Sequence, residues 1–121
     1  MNCPAIHQFF GRTYFLVIAV TATDSIDALY ADANQGNYIA LAAPGVDVLA
    51  PALHEAYQMA TGTSFAAAHV SGVIALMLES DPRMPVQKIR DVLQSGALDL
   101  GPRGRDEQFG AGRVNALAVL R

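Results

Sequence analysis

Ser64 is the residue in this chain best placed to act as a nucleophile. It opens the run Gly62-Thr63-Ser64-Phe65-Ala66-Ala67-Ala68-His69-Val70-Ser71-Gly72, which has no proline and no fixed charge. A serine in the first turn of a long helix holds its hydroxyl and its own N–H at the positive end of the helix dipole, where a developing oxyanion is stabilised. The chemistry this allows is acyl transfer. The competing reading is a serine N-cap, because serine is among the preferred residues at that position. Three histidines, His7, His54 and His69, are available as a base. His69 lies five residues past Ser64, about 500° around a helix and so roughly 140° away from it, which makes it a structural histidine.

Other site chemistries lack a partner residue. His54-Glu55 begins like a zinc-binding helix motif, but the second histidine position holds Gln58. A Ser-x-x-Lys acylase would need lysine where Ala67 stands. A hydrolase in which an acid and then a histidine follow the serine is excluded by order, since His69 is the last histidine of the chain.

The elements that must hold Ser64 are short strands and helices. Residues 16–21 form a continuous β-branched apolar run, the pattern of a central strand covered on both faces of a parallel sheet. A second strand is expected over 38–42, stopped by Pro44-Gly45. Residues 54–60 fit either a strand or a surface loop. The strongest helix is expected over 64–79, buried on nearly every face and ended by Asp81-Pro82. A second helix begins at Pro85, carries Val86, Ile89, Val92 and Leu93 at amphipathic spacing, and ends before Gly96. Residues 98–112 read as a glycine-rich charged loop and 114–120 as a short terminal helix.

Composition narrows the classes further. The chain has 121 residues, of which 52% are hydrophobic and 16% charged, so it has the apolar material for a core. A net charge of −3 without a cationic cluster argues against nucleic acid as a partner. The single cysteine, Cys3, excludes an internal disulfide framework. The longest uninterrupted apolar runs, 14–22 and 73–78, fall short of the roughly 20 residues of a membrane span. The run over 15–20 resembles the core of a signal peptide, but only Arg12 precedes it as a positive charge, which favours the strand reading.

Gly62-Thr63-Ser64 followed by Ala66, Ala67, His69, Val70, Ser71 and Gly72 resembles the nucleophile motif of the subtilisin-like serine proteases (subtilases). Three further stretches, over 17–22, 41–51 and 109–116, resemble that family's landmarks in the same order. Ala68 stands where many relatives have proline, a mild departure. The resemblance implies an α/β fold, here a partial doubly wound parallel sheet with a buried central helix starting at the nucleophile. It makes residues 17–121 the C-terminal part of a subtilase catalytic domain.

The same resemblance implies a serine-type endopeptidase acting on protein or peptide substrates. Ser64 is then the acyl-forming nucleophile, and its N–H is one oxyanion donor. Gly62 lets substrate backbone approach, and Thr63 flanks the nucleophile. The family's catalytic Asp and His, carried on Asp-Thr-Gly-like and His-Gly-Thr-like motifs, have no counterpart in this chain. Its oxyanion asparagine is likewise not recognisable, and Asn2 is not assigned to that role. The chain alone is therefore expected to be nearly inert. A non-catalytic subtilase remnant that folds or binds is the alternative. Residues 1–16 match nothing in the family pattern, consistent with a truncated or frame-disrupted reading of a longer gene. Self-association or pairing with a complementing upstream subtilase segment is expected to cover the sheet and helix surfaces. The residues present imply no cofactor and no metal, although full-length relatives often bind calcium. The family is often secreted, but nothing in the chain fixes its location.

Overall fold

The computed structural model of the protein describes residues 17–121. His7, Asn2, Cys3 and the first residue of the expected strand at 16–21 lie outside the described residues. Among the described residues, four strands and three helices follow in order: β1 (Val20–Thr23), β2 (Leu41–Pro44), β3 (Val48–Ala52), β4 (Ala56–Ala60), α1 (Thr63–Ser80), α2 (Val86–Ser95) and α3 (Ala116–Val119).

β1 and β2 pair in parallel, with Val20 opposite Leu41 and Thr23 opposite Pro44. Side chains alternate across a strand, so Ala22, Leu41 and Ala43 face α1, while Thr21, Thr23 and Ala42 lie on the opposite face. The core is built on the first set. Ala66, Val70, Val73 and Met77 recur at intervals of four, three and four along α1, and Ile89 and Leu93 of α2 close over them. The small residues Ala22, Ala43 and Ala66 let the helix sit close on the sheet, and the larger Met77, Ile89 and Leu93 fill the space where the layers diverge.

The C-terminal stretch supplies a third sheet position. The Ala42 N–H donates to the Gly112 carbonyl at 2.9 Å, and the Val114 N–H donates to the Ala42 carbonyl at 2.9 Å. Ala42 and Arg113 thus form a parallel bridge on the far side of β2 from β1. Gly112 is required there: at φ 119° it adopts a backbone conformation that side chains disfavour, and a Cβ would collide with the Leu98 carbonyl. Arg113 also pairs with Asp27, which tethers this stretch to the loop after β1.

The connection over 24–40 joins two parallel strands without a helix. Asp24 Oδ1 accepts the N–H groups of Ile26 and Ala28, each at 2.9 Å, and so organises the turn after β1. The Arg105 guanidinium donates to the Asn37 and Ile39 carbonyls at 2.9 Å each, pinning the approach to β2.

Both expected strands are real but shifted towards the C-terminus. Residues 17–19 and 38–40 are apolar, yet pairing begins only at Val20 and Leu41. Ile39 and Ala40 are buried without belonging to the ladder. The stretch over 54–60 resolves into a hairpin, β3 pairing antiparallel with β4 across five residue pairs.

Helix α1 departs from expectation in its covering. One stripe is buried, while Ala67, Ala68, Ser71, Gly72, Ala75 and Leu76 are exposed, because the sheet offers one surface and, among the described residues, no second layer meets the opposite side of the helix. By length and composition α1 also reaches what a membrane span requires, which the shorter uninterrupted apolar runs do not reveal. Its stripe packed on β1 and β2 makes it the helix of an α/β layer. The terminal helix is one turn, with Asn115 Oδ1 accepting the Ala118 N–H at 3.2 Å.

Candidate active site

Ser64 is the second residue of α1, and Gly62 is the N-cap. The N-cap thus has no side chain to bond the first turn, and that turn contains no acidic residue. The serine is not the cap, so the N-cap reading of Ser64 does not describe this structure. Its side chain is exposed, and among the described residues nothing hydrogen-bonds its hydroxyl. N–H groups in the first turn have no carbonyl four residues back to receive them, so the partial positive charge of the helix end is presented beside Ser64 Oγ.

The position of this helix end follows from three elements meeting at Gly45. The Gly45 and Val46 N–H groups donate to the Thr23 carbonyl at 3.0 and 3.3 Å, and the Gly45 carbonyl accepts the Gly62 N–H at 2.8 Å. Ser64 therefore stands at the carboxyl ends of β1 and β2, the edge at which open α/β sheets bind their ligands. Gly45 is buried, and a Cβ there would lie 2.7 Å from Ala22 Cβ, 2.8 Å from the Gly62 carbonyl oxygen and 3.2 Å from Ala66 Cβ. Gly62 plays a different part. A Cβ on it would lie 3.4 Å from Ser64 Oγ, in contact with the hydroxyl. Thr63, half-buried, lies between them.

The described histidines are not brought to the serine. His69 is exposed, and its Nδ1 lies 2.9 Å from the Phe65 carbonyl one turn back on α1, so the ring bonds its own helix. His54 lies at the tip of the β3–β4 hairpin, at φ 62°. The strand from Ala60 back to Ala56 spans about 13 Å at 3.3 Å per residue, so His54 is carried well away from Ser64. No group of three or more His, Cys, Asp and Glu able to hold a metal is found among the described residues.

The sequence singles out Ser64, Gly62 and Thr63 but not the residues packed and bonded around them. Gly45 carried a readable signal, since a glycine directly after an apolar strand marks a close approach of backbone. Asp47 and Thr61, which bond to one another beside Gly62, gave none, because their contact joins positions separated by a hairpin.

The family model described as the Subtilase family matches residues 9–112. The minor extracellular protease Epr of Bacillus subtilis is 33% identical over 105 residues, 87% of this chain and 16% of Epr. The alkaline elastase YaB of a Bacillus species is 36% identical over 120 residues, 99% of this chain and 31% of the elastase. Among solved structures, fervidolysin from Fervidobacterium pennivorans, described as a keratinolytic enzyme related to subtilisin, superposes with a TM-score of 0.80 at 28% identity, over 86% of this chain and 19% of its own. The chain thus spans less than a third of either curated relative. With a family match across most of its length and a subtilisin-like arrangement of sheet and helix, the chain belongs to the subtilase family.

Proposed function

We propose that this chain carries the nucleophile portion of a subtilisin-like serine endopeptidase, in which Ser64 attacks the scissile carbonyl of a protein or peptide substrate. The observation that supports this reading is an exposed Ser64 hydroxyl at a helix end with no side-chain cap, at the carboxyl edge of a parallel strand pair. Ser64 Oγ would form the acyl-enzyme, and the Ser64 N–H would donate to the oxyanion. Gly62 would leave room for substrate backbone, with Thr63 flanking it.

In this reading the general base comes from sequence other than residues 17–121, in keeping with the distance of His54 from Ser64 and the bond of His69 to its own helix. In subtilisin, loss of the serine or the histidine alone lowers turnover by about 10⁶, with a residual of roughly 10³ to 10⁴ over water. Residues 17–121 by themselves are then close to inert. A complementing subtilase segment bearing the Asp and His motifs is the partner that would restore turnover. The same placement gives some weight to a second reading, a remnant that folds or binds without cleaving.

A fluorophosphonate probe separates the two. Labelling is measured on the chain alone, on the chain with an upstream subtilase segment carrying both motifs, and on Ser64→Ala. The expected result is an adduct located at Ser64 by mass spectrometry, formed at least 100-fold faster with the segment and absent in Ser64→Ala. A folded complex that leaves Ser64 unlabelled would instead establish the non-catalytic reading.

A further inference from the structure

The hairpin leading into the nucleophile contains no buried residue. Every residue of β3 and β4 is exposed or half-buried, and β4 ends four residues before Ser64. Register fluctuations are cheap in a two-stranded ribbon with little buried surface. Without a barrier, such motion would pass from Ala60 directly into Gly62 and Ser64.

A barrier stands at the base of the hairpin. The Asp47 N–H donates to Thr61 Oγ1 at 2.9 Å, and the Thr61 hydroxyl faces Asp47 Oδ1 at 3.5 Å. Asp47 adopts φ 51°, a left-handed conformation that costs a non-glycine residue about 1 kcal/mol or more. That conformation aims its N–H across the hairpin base. Directly beside it, the Gly62 N–H donates to the buried Gly45 carbonyl. The turn over 45–47 therefore holds Thr61 and Gly62 by consecutive bonds, one on the exposed side and one on the buried side.

We propose that Asp47 and Thr61 act as positioning residues for Ser64: their clamp isolates the helix end from motion of the exposed hairpin. The inference rests on the reading of Ser64 as nucleophile, but the clamp itself is tested without it. Both residues are exposed, so replacing them leaves the core in place.

Thr61→Val keeps the shape and removes the hydroxyl, whereas Thr61→Ser keeps the hydroxyl. Asp47→Gly relieves the backbone cost while removing the carboxylate. Amide hydrogen exchange read by mass spectrometry should show residues 61–66 exchanging about 10-fold faster in Thr61→Val. Residues 70–78 should be unchanged, and Thr61→Ser should return to within about 2-fold of the parent. Asp47→Gly keeps the N–H that bonds Thr61, so its exchange should rise by less than in Thr61→Val. Unchanged exchange over 61–66 in Thr61→Val, or equal acceleration along all of α1, overturns the clamp. With the complementing segment present, fluorophosphonate labelling of Thr61→Val should fall about 10-fold and recover in Thr61→Ser. Faster exchange with undiminished labelling overturns the positioning role. A parent chain that never labels overturns the nucleophile reading instead, and the exchange result still decides whether the clamp exists.

Discussion

At the scale of single residues, the arrangement around Ser64 depends on side chains that are missing as much as on those present. Gly45 sits where Ala22, Ala66 and the Gly62 carbonyl converge, and a methyl there has nowhere to go. Gly45→Ala should destabilise the fold by about 2 kcal/mol, the usual cost of overpacking a tight site, read as a lower urea midpoint with unchanged slope. A change within 0.5 kcal/mol would show that the convergence relaxes freely. His69 makes the opposite case. Its ring is exposed and, among the described residues, bonds the Phe65 carbonyl on its own helix, so His69→Ala should shift stability by no more than about 0.5 kcal/mol. It should also leave the rate of Ser64 labelling in the complemented chain unaltered; loss of labelling would reinstate His69 as part of the chemistry.

At the scale of elements, legibility followed local signals. Helix α2 was readable because proline, amphipathic spacing and a terminal glycine agree, and the structure moves its start by one residue, with Pro85 as cap. The sheet strands were placed a few residues early, since apolar character runs through 17–23 and 38–43 and cannot say which residues find a ladder partner. Ile39 and Ala40 are buried just ahead of the ladder, where the Ala40 N–H donates to the Ala19 carbonyl and its carbonyl accepts the Ala111 N–H, while Arg105 holds the Ile39 carbonyl. Strand β4 was ambiguous because Tyr57 and Met59 alternate with Gln58 on a hairpin that buries neither face fully. Within the site, Ser64 was legible because its motif is contiguous, whereas the clamp is assembled from residues brought together by folding. The hairpin carries its own strain: in its three-residue connection His54 and Glu55 both have positive φ, at 62° and 57°, a region that Asn and Gly enter at less cost. Replacing them with Asn-Gly should slow amide exchange across β3 and β4 by about 5-fold, because the turn becomes intrinsically favoured. No slowing would mean that hairpin opening is limited elsewhere.

At the scale of the whole molecule, two of the apolar surfaces left open among the described residues lie close to Ser64 in sequence. One is the outer side of α1. The other is one face of the hairpin, where Leu49, Met59 and Tyr57 are 65%, 60% and 72% exposed and Leu53 at the turn is 83% exposed. Patches of this kind favour association, and the hairpin strands contain no charged residue to oppose it. Size-exclusion chromatography with light scattering should show the chain self-associating at tens of micromolar. The double variant Leu53→Lys with Tyr57→Lys should shift it towards smaller species. A parent chain that stays monomeric at that concentration would refute this.

The strap at Arg113 has a bearing on the order in which the molecule comes together. Arg113 pairs with Asp27 across 86 positions of sequence, and Gly112 and Val114 complete the edge of β2. During synthesis, β1, β2 and the helix bearing Ser64 all emerge before the segment that closes their sheet. Contacts so distant along the chain form late and slowly. Until then the edge of β2 is a bare row of donors and acceptors beside apolar residues. A nascent chain is consequently most vulnerable to misassociation in the interval between the emergence of Ser64 and that of Arg113, a window in which the helix bearing Ser64 already exists and the partner for the edge of β2 does not.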